Sequence, residues 1–115
     1  MSPPPPALVS HADAMKLELE PDEPLAVTAG APRASVLSLY SDDVVDCGVW
    51  EVTPGEFAGE NAGFGEQMYV LAGEATVTSE DGTTVELRPG VWFVARAGWR
   101  GRWAVRETVR KLYVI

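Results

Sequence analysis

The sequence predicts an all-β domain, a small barrel or sandwich built from short strands. Short runs of alternating apolar and polar residues, separated by turn signals, fill most of its 115 residues, and this pattern is typical of such folds. The 11 glycines and 9 prolines suit a chain with many tight turns. Almost no segment shows the periodicity of a helix.

The first 35 residues are predicted to lie outside the barrel. Residues 1–10 contain four consecutive prolines, Pro3 to Pro6, which join neither a helix nor a strand ladder, so we expect an extended tail. Residues 11–35 are predicted as an extension in which the alternation over Ala12–Leu19 indicates a short edge strand. The barrel itself is predicted to span residues 36–115.

Turn signals divide the predicted barrel into strands. Pro54-Gly55, Asp81-Gly82 and Arg88-Pro89-Gly90 indicate turns, and Asp81-Gly82 is a strong hairpin signal. The three glycines within Ala58–Gly65 indicate a loop. The strands predicted around these signals are Val36–Tyr40, Cys47–Thr53, Met68–Leu71, Ala75–Ser79, Thr83–Leu87, Val91–Ala95, Trp103–Arg106 and Val109–Ile115.

Charge is unevenly distributed along the chain, whose net charge is −8. Residues 88–115 include seven basic residues and one acidic residue, whereas residues 1–87 include two basic and sixteen acidic ones. Either the basic strands pair with the acidic ones that precede them, or they form a basic pocket mouth or partner surface. The acidic total argues against a nucleic-acid partner because phosphate would repel it.

Cysteine content and hydropathy exclude some classes of protein. Cys47 is the single cysteine, so no internal disulfide forms. No apolar run is long enough to cross a bilayer, and no cationic segment precedes an apolar one. We therefore expect a cytoplasmic protein with no membrane partner.

A resemblance to a known family rests on five segments taken in order. They are Gly48–Gly55, Tyr69–Glu74, Ala97-Gly98, Gly101 with Trp103, and Lys111–Ile115. Together they make the chain from about Val36 onward resemble small single-domain cupins related to ureidoglycine aminohydrolase and to an ethanolamine-utilisation cupin. The resemblance implies a double-stranded β-helix, or jelly-roll, barrel. It also implies a homodimer, which we expect to form through exposed terminal strands.

The cupin pattern implies a metal site made by three histidines and a glutamate. The spacing to Gly73 assigns the glutamate position to Glu66. The first two histidine positions fall at Gly59 and Asn61, or at Glu60 and Ala62, and the third falls at Gly101.

None of these positions holds a histidine, since the single histidine of the chain is His11. Transition metals depend on imidazole, thiolate or clustered carboxylates, so we expect no metal cofactor. The alternative is a weak oxygen site for a hard cation, formed by Glu66 with Glu60 and Asn61.

Alternation places Glu66, Met68 and Val70 on the face of their strand that lines the cavity in a cupin. Glu66 is the candidate catalytic residue, and we expect it to be partly buried against an arginine or a hydroxyl group. Gly101, Trp103 and Val105 are predicted to share the cavity face. The predicted ligand-binding residues are Trp50, Glu66, Met68, Tyr69, Trp92, Arg96, Trp99 and Trp103.

Three functions are open at this point. The first is a metal-free barrel that binds a small planar or carboxylate-bearing molecule between tryptophans, with Arg96 or Arg100 at its mouth. The second is an enzyme similar to the family's aminohydrolases, acting on a ureido or amide compound with Glu66 as acid and base. The third is a structural barrel in which the tryptophans are core residues and the arginines lie over them.

Overall fold

The computed structural model describes residues 3–6 and 9–115 and shows a mostly-β fold with one short helix. Within the described chain, the elements in order are α1 (His11–Lys16), β1 (Glu20–Pro21), β2 (Ala26–Gly30), β3 (Ala34–Ser41), β4 (Asp46–Val52), β5 (Gly55–Glu60), β6 (Glu66–Ser79), β7 (Thr84–Leu87), β8 (Trp92–Ala95) and β9 (Arg100–Val114).

The prediction of an edge strand over Ala12–Leu19 is wrong, because α1 occupies most of this segment. Ser10 begins the helix: its side-chain oxygen accepts a hydrogen bond from the Asp13 amide at 3.1 Å, as a capping serine does. The edge strand comes later, where β1 pairs antiparallel with β3. Of the predicted tail, Met1, Ser2, Ala7 and Leu8 lie outside the described residues, and Pro3–Pro6 are exposed and belong to no helix or strand.

Strand β9 is the centre of the sheet. Its second half pairs with β4, its first half pairs with β5, and its other edge pairs with β6 along nearly its whole length, all antiparallel. The strand order through β9 is β1-β3-β4-β9-β5-β2. Strand β6 pairs with β7 and β8 as well as with β9. Because β9 is paired on both sides, it offers no free edge to a second subunit, contrary to the expectation for the last predicted strand.

Two strands are longer than the sequence predicts, and two others were not predicted. β6 continues through Gly73, which was expected to end a strand, and its register against β9 shifts around that residue. β9 joins two predicted strands into one. β2 and β5 were not predicted as strands. Part of β5, Ala58–Glu60, was predicted as loop, yet Gly59 pairs directly with Gly101 of β9.

The sheet curls so that the inner faces of its strands share one core. Buried residues from six strands form it, among them Val52, Phe57, Val70, Leu87 and Val109. Burying side chains of this size contributes about 1.5–3 kcal/mol each. The curled sheet around this core is the barrel that the sequence predicts.

Helix α1 and the residues after it cover the outer face of the barrel. Ala14 is buried against Val49 and Leu71 in a second, smaller core. Arg110 fixes this cover, since its Nη1 donates to the carbonyl oxygens of Ala14 at 2.9 Å and Leu17 at 3.0 Å. Among the described residues, no helix is both long and apolar enough to span a membrane.

Four of the five basic residues of β9 pair with acidic residues that precede them in sequence. Every ion pair found in the described chain joins β9 to an earlier residue: Arg100 with Glu60 and Glu80, Arg106 with Glu86, Arg110 with Glu51, and Lys111 with Glu66. The charge asymmetry of the sequence therefore reflects cross-strand pairing. The exposed pairs contribute little to stability, whereas Lys111 is buried and the side chain of Glu66 is only 13% exposed.

Candidate functional site

A cavity of about 550 Å³ opens into the barrel between β4, β5, β6, β9 and the segment that precedes β2. Its apolar walls include five aromatic rings, those of Trp50, Phe57, Phe64, Trp99 and Trp103. Eight polar residues also line it: Asp22, Ser38, Asp46, Glu60, Asn61, Glu66, Lys111 and Tyr113. This mixture is typical of pockets for small organic molecules.

A buried ion pair lies in the cavity wall. The Nζ atom of Lys111 is 2.8 Å from Oε2 of Glu66 and 2.8 Å from the sulfur of Met68. The side chains of Lys111 and Glu66 are only 6% and 13% exposed. The register explains the contact, because Lys111 of β9 lies opposite Val70 of β6, whose alternation also turns Glu66 and Met68 inward.

Two tryptophan rings cover the ammonium group of Lys111. Nζ is 4.5 Å from the ring centre of Trp50 and 5.2 Å from that of Trp103, within the range of a cation–π contact. The two rings meet edge to face at 5.8 Å, and Phe57 stacks on Trp103 at 5.7 Å. The amine is therefore held by one carboxylate within an aromatic cluster.

Burial lowers the pKa of Lys111 below its ordinary value, because an ammonium ion loses its hydration inside the barrel. The charge and hydrogen bond of Glu66 oppose that shift, and Asp22 adds a smaller opposing effect. Lys111 is thus a lysine whose neutral form is more accessible than that of a surface lysine.

Two further carboxylates of the cavity are already hydrogen-bonded. Asp22 accepts a hydrogen bond from the indole nitrogen of Trp50 at 3.1 Å. Asp46 accepts from the hydroxyl of Ser38 at 2.6 Å and from that of Tyr113 at 3.2 Å. Burial, with the charge of Asp46, raises the pKa of Tyr113 to about 12, so this phenol stays a neutral donor.

Asn61 carries an unused donor. Its backbone is fixed, since its amide donates to the Trp99 carbonyl at 2.8 Å and its carbonyl accepts from the Gly98 amide at 2.7 Å. Asn61 is one of the cavity's lining residues and is 7% exposed as a whole, yet its Nδ2 has no hydrogen-bond partner in the described part of the chain. A buried donor left unpaired costs about 1–3 kcal/mol, so this atom is a candidate contact for a ligand.

The metal site implied by the cupin pattern does not fit these residues. Gly59 and Gly101 pair directly, and the indole of Trp99 lies against both. A Cβ atom added at Gly59 would come within 3.1 Å of that ring, and one at Gly101 within 2.6 Å, so the indole fills the space beside two of the expected histidine positions. Over residues 3–6 and 9–115, no group of three His, Cys, Asp or Glu residues is placed to hold a metal ion, and Glu66 bonds to Lys111.

The structure brings five of the predicted site residues to the cavity: Trp50, Glu66, Met68, Trp99 and Trp103. The other three are outside its lining. Tyr69 and Trp92 point outward because they alternate with the inward Met68 and Phe93, and Trp92 is 68% exposed. Arg96 is exposed in the turn after β8.

Arg96 and Arg100 were expected at the mouth of the cavity, and neither lines it. Arg100 instead lies near Glu60 and Glu80 at the surface, and Arg96 follows β8 on an exposed turn.

Lys111 is the main site residue that was not predicted from the sequence. Glu66 was expected to pair with an arginine or a hydroxyl group and pairs with this lysine instead. Lys111 lies two residues from Val109 and two from Tyr113, both buried. This alternation is the signal that could have predicted an inward lysine. Asp22 had no such signal, because it lies outside the predicted barrel.

The fold and the cavity define the chain as a cupin. A family model described as EutQ-like cupin domain matches residues 39–113, and the chain belongs to this family. No curated protein matches the chain.

Solved structures agree on the fold. A protein of unknown function of the DUF861 family from Pseudomonas syringae pv. tomato superposes with a TM-score of 0.78 at 22% identity, over 92% of this chain and 46% of its own. The chain therefore spans less than half of that protein. The EutQ protein of Clostridium difficile superposes with a TM-score of 0.64 at 20% identity. The match covers 72% of this chain and 67% of the EutQ chain. A DUF861 protein from Thermotoga maritima is 37% identical, with a TM-score of 0.53. The match covers 56% of this chain and 73% of the Thermotoga chain.

Proposed function

We propose that this cupin binds a small, uncharged organic molecule in its cavity without a metal ion. The observation that carries the proposal is the aromatic-walled cavity, whose lining includes Asn61, a residue whose buried Nδ2 donor has no partner within the described residues. A turn of this side chain toward the cavity would let a ligand oxygen accept its hydrogen bond and would remove the cost of the unpaired donor. The cavity volume, about 550 Å³, lies in the range of small-molecule pockets.

The charges of the cavity favour a neutral ligand over a carboxylate. Asp22, Asp46, Glu60 and Glu66 line it, and Lys111 is the one cationic side chain among the described lining residues. Because Glu66 already neutralises Lys111, an incoming anion would meet uncompensated negative charge. Flat aromatic walls suit a planar ligand, which can lie against Trp50 or Trp103.

We expect neutral acceptors such as benzamide and benzyl alcohol to raise the melting temperature in a thermal-shift assay, and benzoate to have little effect. Replacing Asn61 with alanine should weaken benzamide binding about fivefold, the loss of one hydrogen bond. The unliganded variant should unfold at the same temperature or slightly higher, because the unpaired donor is gone. Calorimetric titration measures the affinity.

Gln67→Ala is the matched control, because Gln67 is an amide on the outer face of β6. It should bind benzamide as the unmodified protein does. The proposal is contradicted if neither neutral probe shifts the melting temperature at millimolar concentration, or if Asn61→Ala and Gln67→Ala lose affinity equally.

Hydrolysis of a ureido or amide compound, the second function open from the sequence, is less well supported. The family's metal would activate that reaction, and here the ring of Trp99 fills the space beside two of its ligand positions. We therefore propose binding and keep Glu66 as the partner of Lys111.

We also propose that the protein forms a homodimer through an outer patch made by Tyr69, Trp92, Val94 and Val114. Tyr69 lies opposite Trp92 on neighbouring strands, and all four side chains are 40–68% exposed. An exposed apolar patch of this kind marks an interaction surface. This contact does not require the free edges of terminal strands that were expected from the sequence.

Replacing Trp92 with serine is expected to weaken the dimer about tenfold or more, because a large aromatic surface returns to water. Sedimentation velocity over a concentration series measures the equilibrium. Val27→Ser is the control, since Val27 is 45% exposed on β2, which pairs with β5 and with none of the strands that carry the patch. A chain that sediments as a monomer at every concentration would exclude the dimer.

A further inference from the structure

The chain contains two lysines, Lys16 and Lys111, and they occupy opposite environments. Lys16 is exposed at the end of α1. Lys111 is buried in the cavity wall, where Nζ contacts Glu66 and faces the rings of Trp50 and Trp103. A primary amine in an aromatic cavity, hydrogen-bonded to a carboxylate, has the parts needed for covalent chemistry with a carbonyl compound.

We propose that Lys111 forms a reversible imine with a small neutral aldehyde or ketone that enters the cavity. This rests on the proposed function, since it names the class of molecule that the cavity takes. The aromatic walls hold the hydrocarbon part of such a compound, and the carboxylates of the lining do not repel a neutral carbonyl group.

The 2.8 Å hydrogen bond between Lys111 and Glu66 provides the proton transfers. Glu66 takes a proton from the ammonium group, and the lone pair of the resulting amine attacks the carbonyl carbon as the carbon–oxygen π bond breaks. A proton moves from nitrogen to oxygen and gives a carbinolamine. Glu66 then returns its proton to the hydroxyl group, which leaves as water while the nitrogen lone pair forms the carbon–nitrogen double bond.

The step is balanced without any further reagent. One ammonium ion and one carbonyl compound give one iminium ion and one water, and the charge is conserved. Glu66 ends as the carboxylate with which it began. Burial of the amine among apolar rings assists because it disfavours the ammonium form, and the position of the ligand beside Nζ raises the local concentration of the carbonyl group.

The test uses benzaldehyde and sodium cyanoborohydride, which reduces an imine to a stable secondary amine. Peptide mass spectrometry of the native protein then locates the benzyl group. We expect Lys111 to be modified about tenfold or more faster than Lys16 in the same molecules, because only Lys111 lies in a binding cavity. In guanidinium chloride, where the cavity is lost, the two lysines should react at similar rates.

Lys16→Arg should leave the modification of Lys111 unchanged, and Lys111→Arg should abolish it. Since the comparison of the two lysines is made within the unmodified protein, it does not depend on how either variant folds. Equal modification of both lysines in the native state, or modification of Lys16 alone, overturns the proposal.

Benzyl alcohol separates failure of the imine from failure of ligand binding. A rise in melting temperature with benzyl alcohol, without a benzyl group on Lys111 after reaction with benzaldehyde, overturns the imine and supports the binding cavity. No thermal shift and no modification overturn both.

Discussion

Replacing Glu66 with leucine is expected to lower the free energy of unfolding by about 3–5 kcal/mol, because it leaves the Lys111 ammonium group buried without its counter-ion. The pair is well placed for such an effect: Nζ and Oε2 are 2.8 Å apart and both side chains are largely shielded from water. Replacing Glu66 with leucine and Lys111 with methionine together should return most of that loss, since neither charge then remains. Urea unfolding followed by tryptophan fluorescence measures both differences.

Glu66→Gln is the graded control, because glutamine keeps an oxygen that can accept from Lys111 and should cost less than leucine. The expected pH dependence has a definite sign. Lys111 has a lowered pKa in the folded protein, so between that value and its ordinary value of 10.5 the unfolded chain binds more protons. Stability therefore rises with pH over that interval, and the loss in Glu66→Leu should shrink toward pH 10. A loss that is independent of pH, and that the double substitution does not repair, would contradict this account.

The second large effect is expected at Gly73, where alanine should cost about 3 kcal/mol or more. Gly73 has a φ of 94° within β6, a conformation that costs an alanine about 1–2 kcal/mol. A Cβ atom there would also overlap the backbone carbonyl of Thr108, and overpacking a site of this kind adds about 1–3 kcal/mol. Urea unfolding again gives the measurement.

Gly90→Ala separates the cost of the positive φ from the cost of the overlap with Thr108. Gly90 has nearly the same φ, 92°, but no atom lies within 4 Å of an added Cβ. It should therefore cost only the conformational part, about 1–2 kcal/mol. Equal losses in the two variants would mean that the Thr108 backbone moves aside without cost and that close packing at Gly73 is unimportant.

Most strand positions could be predicted from the sequence because alternation and turn residues act locally, whereas β2 and β5 were missed. The inward faces of β6 and β9 followed from the same rule, and they placed Glu66, Met68 and Trp103 together at the cavity. Strand lengths could not be predicted, since Gly73 is read locally as a turn while pairing with β9 extends β6 through it.

The partner of Glu66 and the role of α1 depend on contacts that are distant in sequence. Lys111 meets Glu66 across 45 positions, and nothing near either residue specifies the other. Residues 12–19 alternate like a strand, but the cap at Ser10 and the cover they give to Val49 and Leu71 favour a helix followed by an extended segment. Tertiary packing decides such cases against local pattern.

The central place of β9 also sets the order in which this barrel can assemble. All three of its partners, β4, β5 and β6, precede it in sequence, so during synthesis they emerge from the ribosome before the strand that joins them. Until β9 arrives, β4 and β5 lack the neighbour that links them to the rest of the sheet, and their apolar faces remain open to water. Pairings so distant in sequence close slowly, which makes this interval the time at which the nascent chain is most exposed to aggregation.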